Sequence, residues 1–338
     1  MAVIKVFNER KFPIVLGAIA FSLFFLSSIL TYIKSPADQN DVPVTVEIPR
    51  GASLTAAVSV LSDAGLIKHK TLFYLLARLK NAQNPIRAGE YKFSTSMTPA
   101  HILEKMVRGE VLEYVVAIPE GFDLLKIADR LAEEKLVNKD VFLRLAGDQE
   151  FLSSLGVTAK TVEGYLFPDT YGFNRRMGEK EIMRIMVHRF NEKVTPEMRT
   201  RAESLGLTFG QVITLSSMIE KEARLKSERA LVSAVFYNRL QRGMKLQCDP
   251  TTIYGMENFE GTIKRSHLKR MTPYNTYVIN GLPPGPIASP GLESMIAALY
   301  PAPVDYIYFV SRFDGSHQFS SDLRSHNQAV AKFINKKD

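Results

Sequence analysis

Two carboxylates, Glu220 and Glu222, stand two residues apart at the end of ITLSSMIEKEARL (residues 213–225), where nearly every earlier position is apolar or small. Helical spacing puts Glu220 on the face of Ile213, Ser216 and Ser217, and sets Glu222 about 200° further round, where it is expected to face solvent. A carboxyl at the end of an apolar helix loses water, so Glu220 is expected to hold a proton near neutrality and to serve as a general acid. The two glutamates then need not share one job.

Two other stretches supply groups that suit a polyhydroxyl substrate. YNRLQRGMKLQCDPTTIYG (residues 237–255) gathers Asn238, Gln247, Asp249, Thr251 and Tyr254, and YNTYVINGLPPGPIASPG (residues 274–291) opens with Tyr274 and Asn275. Aromatic faces stack on sugar C–H groups while amides, carboxylates and hydroxyls pair sugar hydroxyls. Other chemistries lack their parts. No H-x-x-E-H, G-x-S-x-G or Gly-rich phosphate loop occurs, and Cys248 is the one cysteine, which excludes an intrachain disulfide and a cysteine-based zinc cluster. His317 shares a hairpin face with Phe319, and His326 shares a helix face with Val330 and Phe333, positions that suit structural histidines. No metal and no cofactor is expected.

The elements that must position these groups are marked by local signals. Thr208 followed by Gln211 is a capping box that starts a helix from Phe209 to about Leu225, and Ser227 is expected to cap a second helix that Gly243 ends. The pair Asp314-Gly315 between apolar runs predicts a two-residue type I′ hairpin turn, and a last helix is expected over 322–334. Toward the N-terminus an internal repeat is visible at an offset of 70 residues. Ile48, Pro49, Gly51, Leu54, Leu61 and Leu66 recur as Ile118, Pro119, Gly121, Leu124, Leu131 and Leu136. Each copy reads as a strand, a Gly turn and an amphipathic helix. AGEYKF (residues 88–93) predicts another strand, and TPAHILEKMVRG a helix with Thr98 at the N-cap, Pro99 at N1 and Gly109 at C′. Two copies make a duplication and not a solenoid.

The chain of 338 residues is 46% hydrophobic and 23% charged, the composition of a folded protein. Its formal charge of +8 is spread through 43 basic residues with no long basic block, so nucleic acid is not expected as a partner. An uncharged run from Phe12 to Ile33 would span about 33 Å as a helix, the thickness of a bilayer core. Lys5, Arg10 and Lys11 precede it, which by the positive-inside rule leaves the N-terminus in the cytoplasm and exports the rest. Residues 35–43 form a polar linker expected to separate this single-pass anchor from the exported part.

The succession EGYLFPDTYGF (residues 163–173), SSMIEKEA, VFYNRLQRGMKLQCDPTTIYG, YNTYVINGLPPGPIASPG and YFVSRFDGSHQFSSDLRSHNQAV resembles the YceG-like (MltG) endolytic murein transglycosylases over nearly the whole chain. The resemblance implies an α+β protein in three parts. Residues 1–35 would be the cytoplasmic tail and transmembrane anchor in the inner membrane, 36–155 a LysM-like α+β region, and 156–338 a mixed α+β catalytic domain with a helix-borne catalytic glutamate.

The activity implied is lytic cleavage between N-acetylmuramic acid and N-acetylglucosamine inside nascent glycan strands. It leaves 1,6-anhydro-muramyl ends and would terminate glycan elongation, with peptidoglycan synthases as partners. The family's catalytic glutamate falls on Glu220. Its motifs mark Glu163, Tyr165, Asp169 and Ser217 as glycan contacts, with Asn238, Gln247, Asp249 and Thr251 from the second stretch. Tyr254, Tyr274, Asn275 and His317 complete the set. Cys248 departs from the Thr common before Asp-Pro-Thr in the family. A single acid suffices because the sugar's own C6 hydroxyl attacks, replacing the second carboxylate of a hydrolase. Two alternatives stay open: a hydrolytic muramidase pairing Glu220 with Asp249 or Glu163, and a non-catalytic wall-binding scaffold.

Overall fold

The structure, a computed structural model, describes residues 2–80, 86–256, 259 and 261–334, with side chains from residue 14 onward. Lys5, Arg10 and Lys11, which set the expected orientation of the anchor, lie outside the residues whose side chains are described. The chain divides into two compact units, Met1–Tyr114 with Asn174–Arg176, and Val115–Phe173 with Met177–Asp338.

The first unit opens with α1 (Ala2–Lys34), in which Ile14–Lys34 is long and apolar enough to cross a membrane and exposes Ile14, Phe21 and Phe24. The end of α1 is not isolated from the core of this unit, contrary to the expectation drawn from the linker. Tyr32 is 9% exposed, belongs to the core that holds Phe73 and Leu76, and donates from its hydroxyl to the carbonyl of His69 at 3.2 Å. What holds the helix end there is the packing of Tyr32 and its hydrogen bond, not the length of the linker.

Then come β1 (Pro43–Ile48), α2 (Leu54–Asp63), α3 (Lys70–Leu79), β2 (Gly89–Ser94) and α4 (Pro99–Arg108). β1 and β2 pair antiparallel with Pro43 opposite Ser94 and Ile48 opposite Gly89. α4 is capped as its sequence predicts, Thr98 Oγ1 accepting from the His101 amide and Gly109 taking φ +66°.

The second copy of the repeat lies in the larger unit. It comprises β3 (Tyr114–Ala117), which belongs to this unit from Val115 onward, α5 (Leu124–Glu133), α6 (Lys139–Leu145) and α7 (Gln149–Ser154), with β3 pairing with β4 (Thr170–Phe173). Both copies thus run strand, helices, strand. The likeness extends to the caps: Ser53 and Asp123, equivalent at the repeat offset, each accept from the amide three residues on. It extends to the turns as well, since Lys135 takes φ +58° where the first copy has Gly65 at +71°.

The rest of this unit is helical: α8 (Glu179–Lys193), α9 (Pro196–Ser204), α10 (Phe209–Glu222), α11 (Arg229–Gln241), α12 (Pro250–Ile253), α13 (Arg265–Leu268) and α14 (Leu292–Leu299). β5 (Tyr308–Ser311), β6 (His317–Ser320) and α15 (Leu323–Phe333) end it. α10 starts at the predicted Thr208–Gln211 capping box and packs against α9, α11, α12 and α14, so every residue from Val212 to Ile219 is buried.

Two local expectations are corrected. Ser227 does not cap α11; it lies inside a 3-10 turn, Lys226–Glu228, that leads directly into the helix at Arg229. The hairpin closes on a five-residue loop, not on Asp314-Gly315. Ser311 pairs with His317, and the Arg312 amide donates to the Ser316 carbonyl at 2.9 Å. Asp314 instead accepts from the Ser316 amide, and the positive φ values fall on Phe313 and Gly315.

One glycine ties the loop bearing Glu163 to α10. Gly164 has φ +81°, and a Cβ there would stand 2.6 Å from Pro286 and 2.9 Å from Ile213. Gly164→Ala is expected to cost at least about 2 kcal/mol, from left-handed strain plus overpacking. Denaturant unfolding reads this, and an unchanged midpoint would show that the loop gives way freely.

Candidate active site

Glu220 ends the buried run of α10, and its side chain is 5% exposed. Its surroundings are not the hydrocarbon that the apolar run suggests. Oε1 accepts from Arg229 Nη2 at 2.9 Å and Oε2 from the Gly291 amide at 3.0 Å. Arg229 is the first residue of α11 and its side chain is 7% exposed. The same Nη2 also reaches Glu120 Oε2 at 3.3 Å, and Nη1 lies 3.6 Å from Glu293 Oε2.

Backbone pairing holds the two loops that meet here. The Gly121 amide donates to the Ser289 carbonyl at 2.9 Å and the Ser289 amide to the Phe122 carbonyl at 2.8 Å. A Cβ at Gly291 would meet the Glu120 carboxylate, the end of a half-exposed side chain that would have to move aside.

Glu222 is corrected: it is not free in solvent but half-buried against the loop at Asp249. Its Oε1 accepts from the Asp249 amide at 3.1 Å, and burial pushes its carboxyl from the ordinary 4.5 up to about 7, against the pull of the Cys248 thiol hydrogen bond. Burial pushes that thiol well up in turn, with the Glu222 charge adding to it. Cys248 therefore makes a local contact that holds the Asp-Pro-Thr loop to the end of α10.

A second buried carboxyl, Glu163, lines a cavity of about 580 Å³ together with Asp123, Lys126, Lys221, Tyr254 and Ile287. Its oxygens accept from the Leu124 amide at 3.2 and 2.9 Å and from the Tyr254 hydroxyl at 3.0 Å. Loss of water dominates, raising it to about 7. Tyr254 packs on Tyr274 with ring centroids 4.6 Å apart, and burial, then the Glu163 charge, raise the Tyr254 phenol. Lys221, next to Glu220, joins the cavity wall and donates to the Gly121 carbonyl at 3.2 Å. Glu220 is not part of that wall.

Most of the other residues singled out in the motifs brace loops in this structure. Tyr165 packs on Phe190 with centroids 5.3 Å apart, and Asp169 accepts from Arg189 Nε at 2.7 Å. Ser217 accepts from the Ile287 amide at 3.0 Å, which seats the Pro-rich loop on α10. Asn238 donates to the carbonyls of Val304 and Tyr306, and Gln247, at φ +50°, accepts from Arg239. Asp249 accepts from the Tyr277 hydroxyl at 2.5 Å, Thr251 Oγ1 donates to the Cys248 carbonyl, and Asn275 Nδ2 donates to the Arg270 carbonyl at 2.7 Å. His317 Nδ1 lies 2.7 Å from Glu228 Oε2, and its amide donates to Oε1, the structural setting its hairpin face suggests. The arrangement brings Glu163, Tyr254 and Tyr274 together. It places Arg229, Glu120 and Gly291 around Glu220; Arg229 and Glu120 lie outside the motifs, and Gly291 ends one of them without being named as a contact. A signal for one of them exists in the repeat, where Glu120 replaces Arg50 between otherwise matching Pro and Gly residues.

Residues 46–332 match the model of the YceG-like family. The chain belongs to that family. Among YceG-like relatives, the endolytic murein transglycosylase of Bacillus subtilis is 32% identical over 311 residues, covering 87% of this chain and 86% of that protein. The endolytic murein transglycosylase of Streptococcus pneumoniae strain D39 is 29% identical, covering 89% of this chain but 60% of its own length. The crystal structure of a YceG-like protein from Listeria monocytogenes superposes with a TM-score of 0.59 at 34% identity, over 85% of this chain and 98% of that one. Among the described residues no group of three or more His, Cys, Asp or Glu could hold a metal ion.

Proposed function

We propose that this YceG-like chain is a lytic transglycosylase that cuts peptidoglycan strands internally, with Glu220 as proton donor and then acceptor. One observation carries the choice of residue: the glutamate at the motif position is a buried carboxyl held by two donors, Arg229 and the Gly291 amide. In the first step Glu220 gives its proton to the glycosidic oxygen as the bond from N-acetylmuramic acid to N-acetylglucosamine breaks. In the second, the muramyl C6 hydroxyl closes on C1 and its proton passes to the Glu220 carboxylate, which leaves a 1,6-anhydro end and restores the acid. No water enters the product.

Glu163, Tyr254 and Tyr274 form the glycan-contacting wall, with the tyrosine rings for stacking and the Glu163 carboxyl for sugar hydroxyls. The Pro-rich loop seated by Ser217 keeps Gly291 in place. α1 anchors the protein in the cytoplasmic membrane with its N-terminus inside, and the duplicated LysM-like segments help hold the strand near peptidoglycan synthases.

A second reading, hydrolysis by Glu220 with Glu163, is favoured by the seat of Glu163 in the cavity wall and its value near 7. Mass spectrometry of sacculus digests separates the two. Ends lighter by one water than hydrolysed ends are expected; ends carrying that water would overturn the lytic reading in favour of the second.

A further inference from the structure

We infer that Arg229 is the positioning residue of the Glu220 carboxyl, fixing it in one place as acid and then as base. The inference rests on the role of Glu220 in the proposed reaction and goes beyond it. A single carboxyl that acts twice must stay put while it is a carboxylate, between loss of the first proton and capture of the second. A glutamate side chain turns about three bonds, and a carboxylate left free turns toward water. Here one oxygen is held at 2.9 Å by Arg229 Nη2 and the other at 3.0 Å by the Gly291 amide. Each oxygen keeps a second acceptor direction for the substrate. The guanidinium also stabilises the negative charge that develops on Glu220 as its proton leaves.

Arg229 is itself held, by Glu120 at 3.3 Å and Glu293 at 3.6 Å; Glu293 is in turn held by Lys226 at 2.8 Å. Lys221, the remaining cation on the same turn of α10, is turned to the Gly121 carbonyl. A purely structural buried arginine matches its five donors to acceptors. This one does not: its Nε and Nη1 are buried with no hydrogen-bond partner among the described residues. What Arg229 satisfies is the charge of Glu220 and Glu120, at the expense of its own donors.

The experiment compares Glu220→Gln, Arg229→Gln and Arg229→Lys in the full chain in detergent, with folding followed by circular dichroism. The readouts are kcat and KM on glycan strands. Arg229→Gln is expected to lower kcat about 10²-fold, the order that an ångström of misplacement costs, with KM within about threefold. Arg229→Lys keeps the charge but lacks the fork that serves two carboxylates at once, so kcat should recover only in part.

Wild-type kcat in Arg229→Gln, with lysis lost in Glu220→Gln, would overturn this inference alone. Lysis retained by Glu220→Gln would overturn the function reading beneath it. If Arg229→Gln does not fold, Arg229→Lys decides: a lowered kcat at an unchanged KM supports the inference, and wild-type kcat overturns it.

Discussion

Glu220→Gln is expected to lower release of glycan fragments by at least about 10³-fold and to leave the fold and strand binding intact. General acid–base catalysis supplies roughly 10²–10⁴-fold, and on the proposed reaction one group supplies both proton transfers, so its loss should fall at the upper part of that range. The amide keeps the shape and one oxygen to accept from Arg229 or from the Gly291 amide, which limits structural damage. The loss is to be measured as soluble muropeptide released per unit time, with a melting curve as control. A variant that still released anhydro ends at a tenth of the normal rate would transfer the acid's role to another carboxyl, and Glu163 would be the first to test.

The second large effect is on stability, and its sign is opposite to that of a salt-bridged acid. Burial raises Glu163 and Glu222 from 4.5 to about 7 in the folded chain. The unfolded chain gives up these protons near 4.5 and the folded chain holds them to about 7. Their contribution is therefore fully present below 4.5 and is lost as pH rises through 7. Linkage makes this about 1.4 kcal/mol per pH unit for each group, or roughly 3 kcal/mol each across the window. His326, which burial pulls down, works the other way, but it is one partly exposed group. The melting temperature is expected to fall steadily between pH 4.5 and 7.5, and Glu163→Gln and Glu222→Gln should each remove about half of the slope. A flat profile in the unmodified chain would mean that both carboxyls ionise without penalty.

What could be read in the chain beforehand was local. The Thr208–Gln211 box, the Thr98 cap with Gly109, and the repeat with its Ser53 and Asp123 caps each involve residues within a few positions of one another. The helix that carries Glu220 is marked by the same kind of signal. The partners of Glu220 are not. Arg229 comes from nine residues on, across a 3-10 turn, and Glu120 lies 109 residues before Arg229. Glu222 shows the same gap from the other side. A helical wheel places it away from Glu220 correctly but knows nothing of the Cys248–Asp249 loop that covers it. Asp314-Gly315 misleads because an aspartate that can cap the Ser316 amide has an alternative to the left-handed backbone that a two-residue turn demands. Composition marks the loops as a groove, but most of their polar side chains prove to be spent on backbone carbonyls.

The seating of Tyr32 in the first unit's core has a further consequence. A flexible leash would let a membrane enzyme swing through a hemisphere and sample cell wall at any distance the leash allows. With Tyr32 buried beside Phe73 and bonded to His69, α1 behaves as a mast fixed to its deck. The first unit and the end of α1 then form one piece, so on the proposed membrane anchoring any tilt of the apolar helix is passed to the first unit undiminished and is not absorbed in residues 35–43.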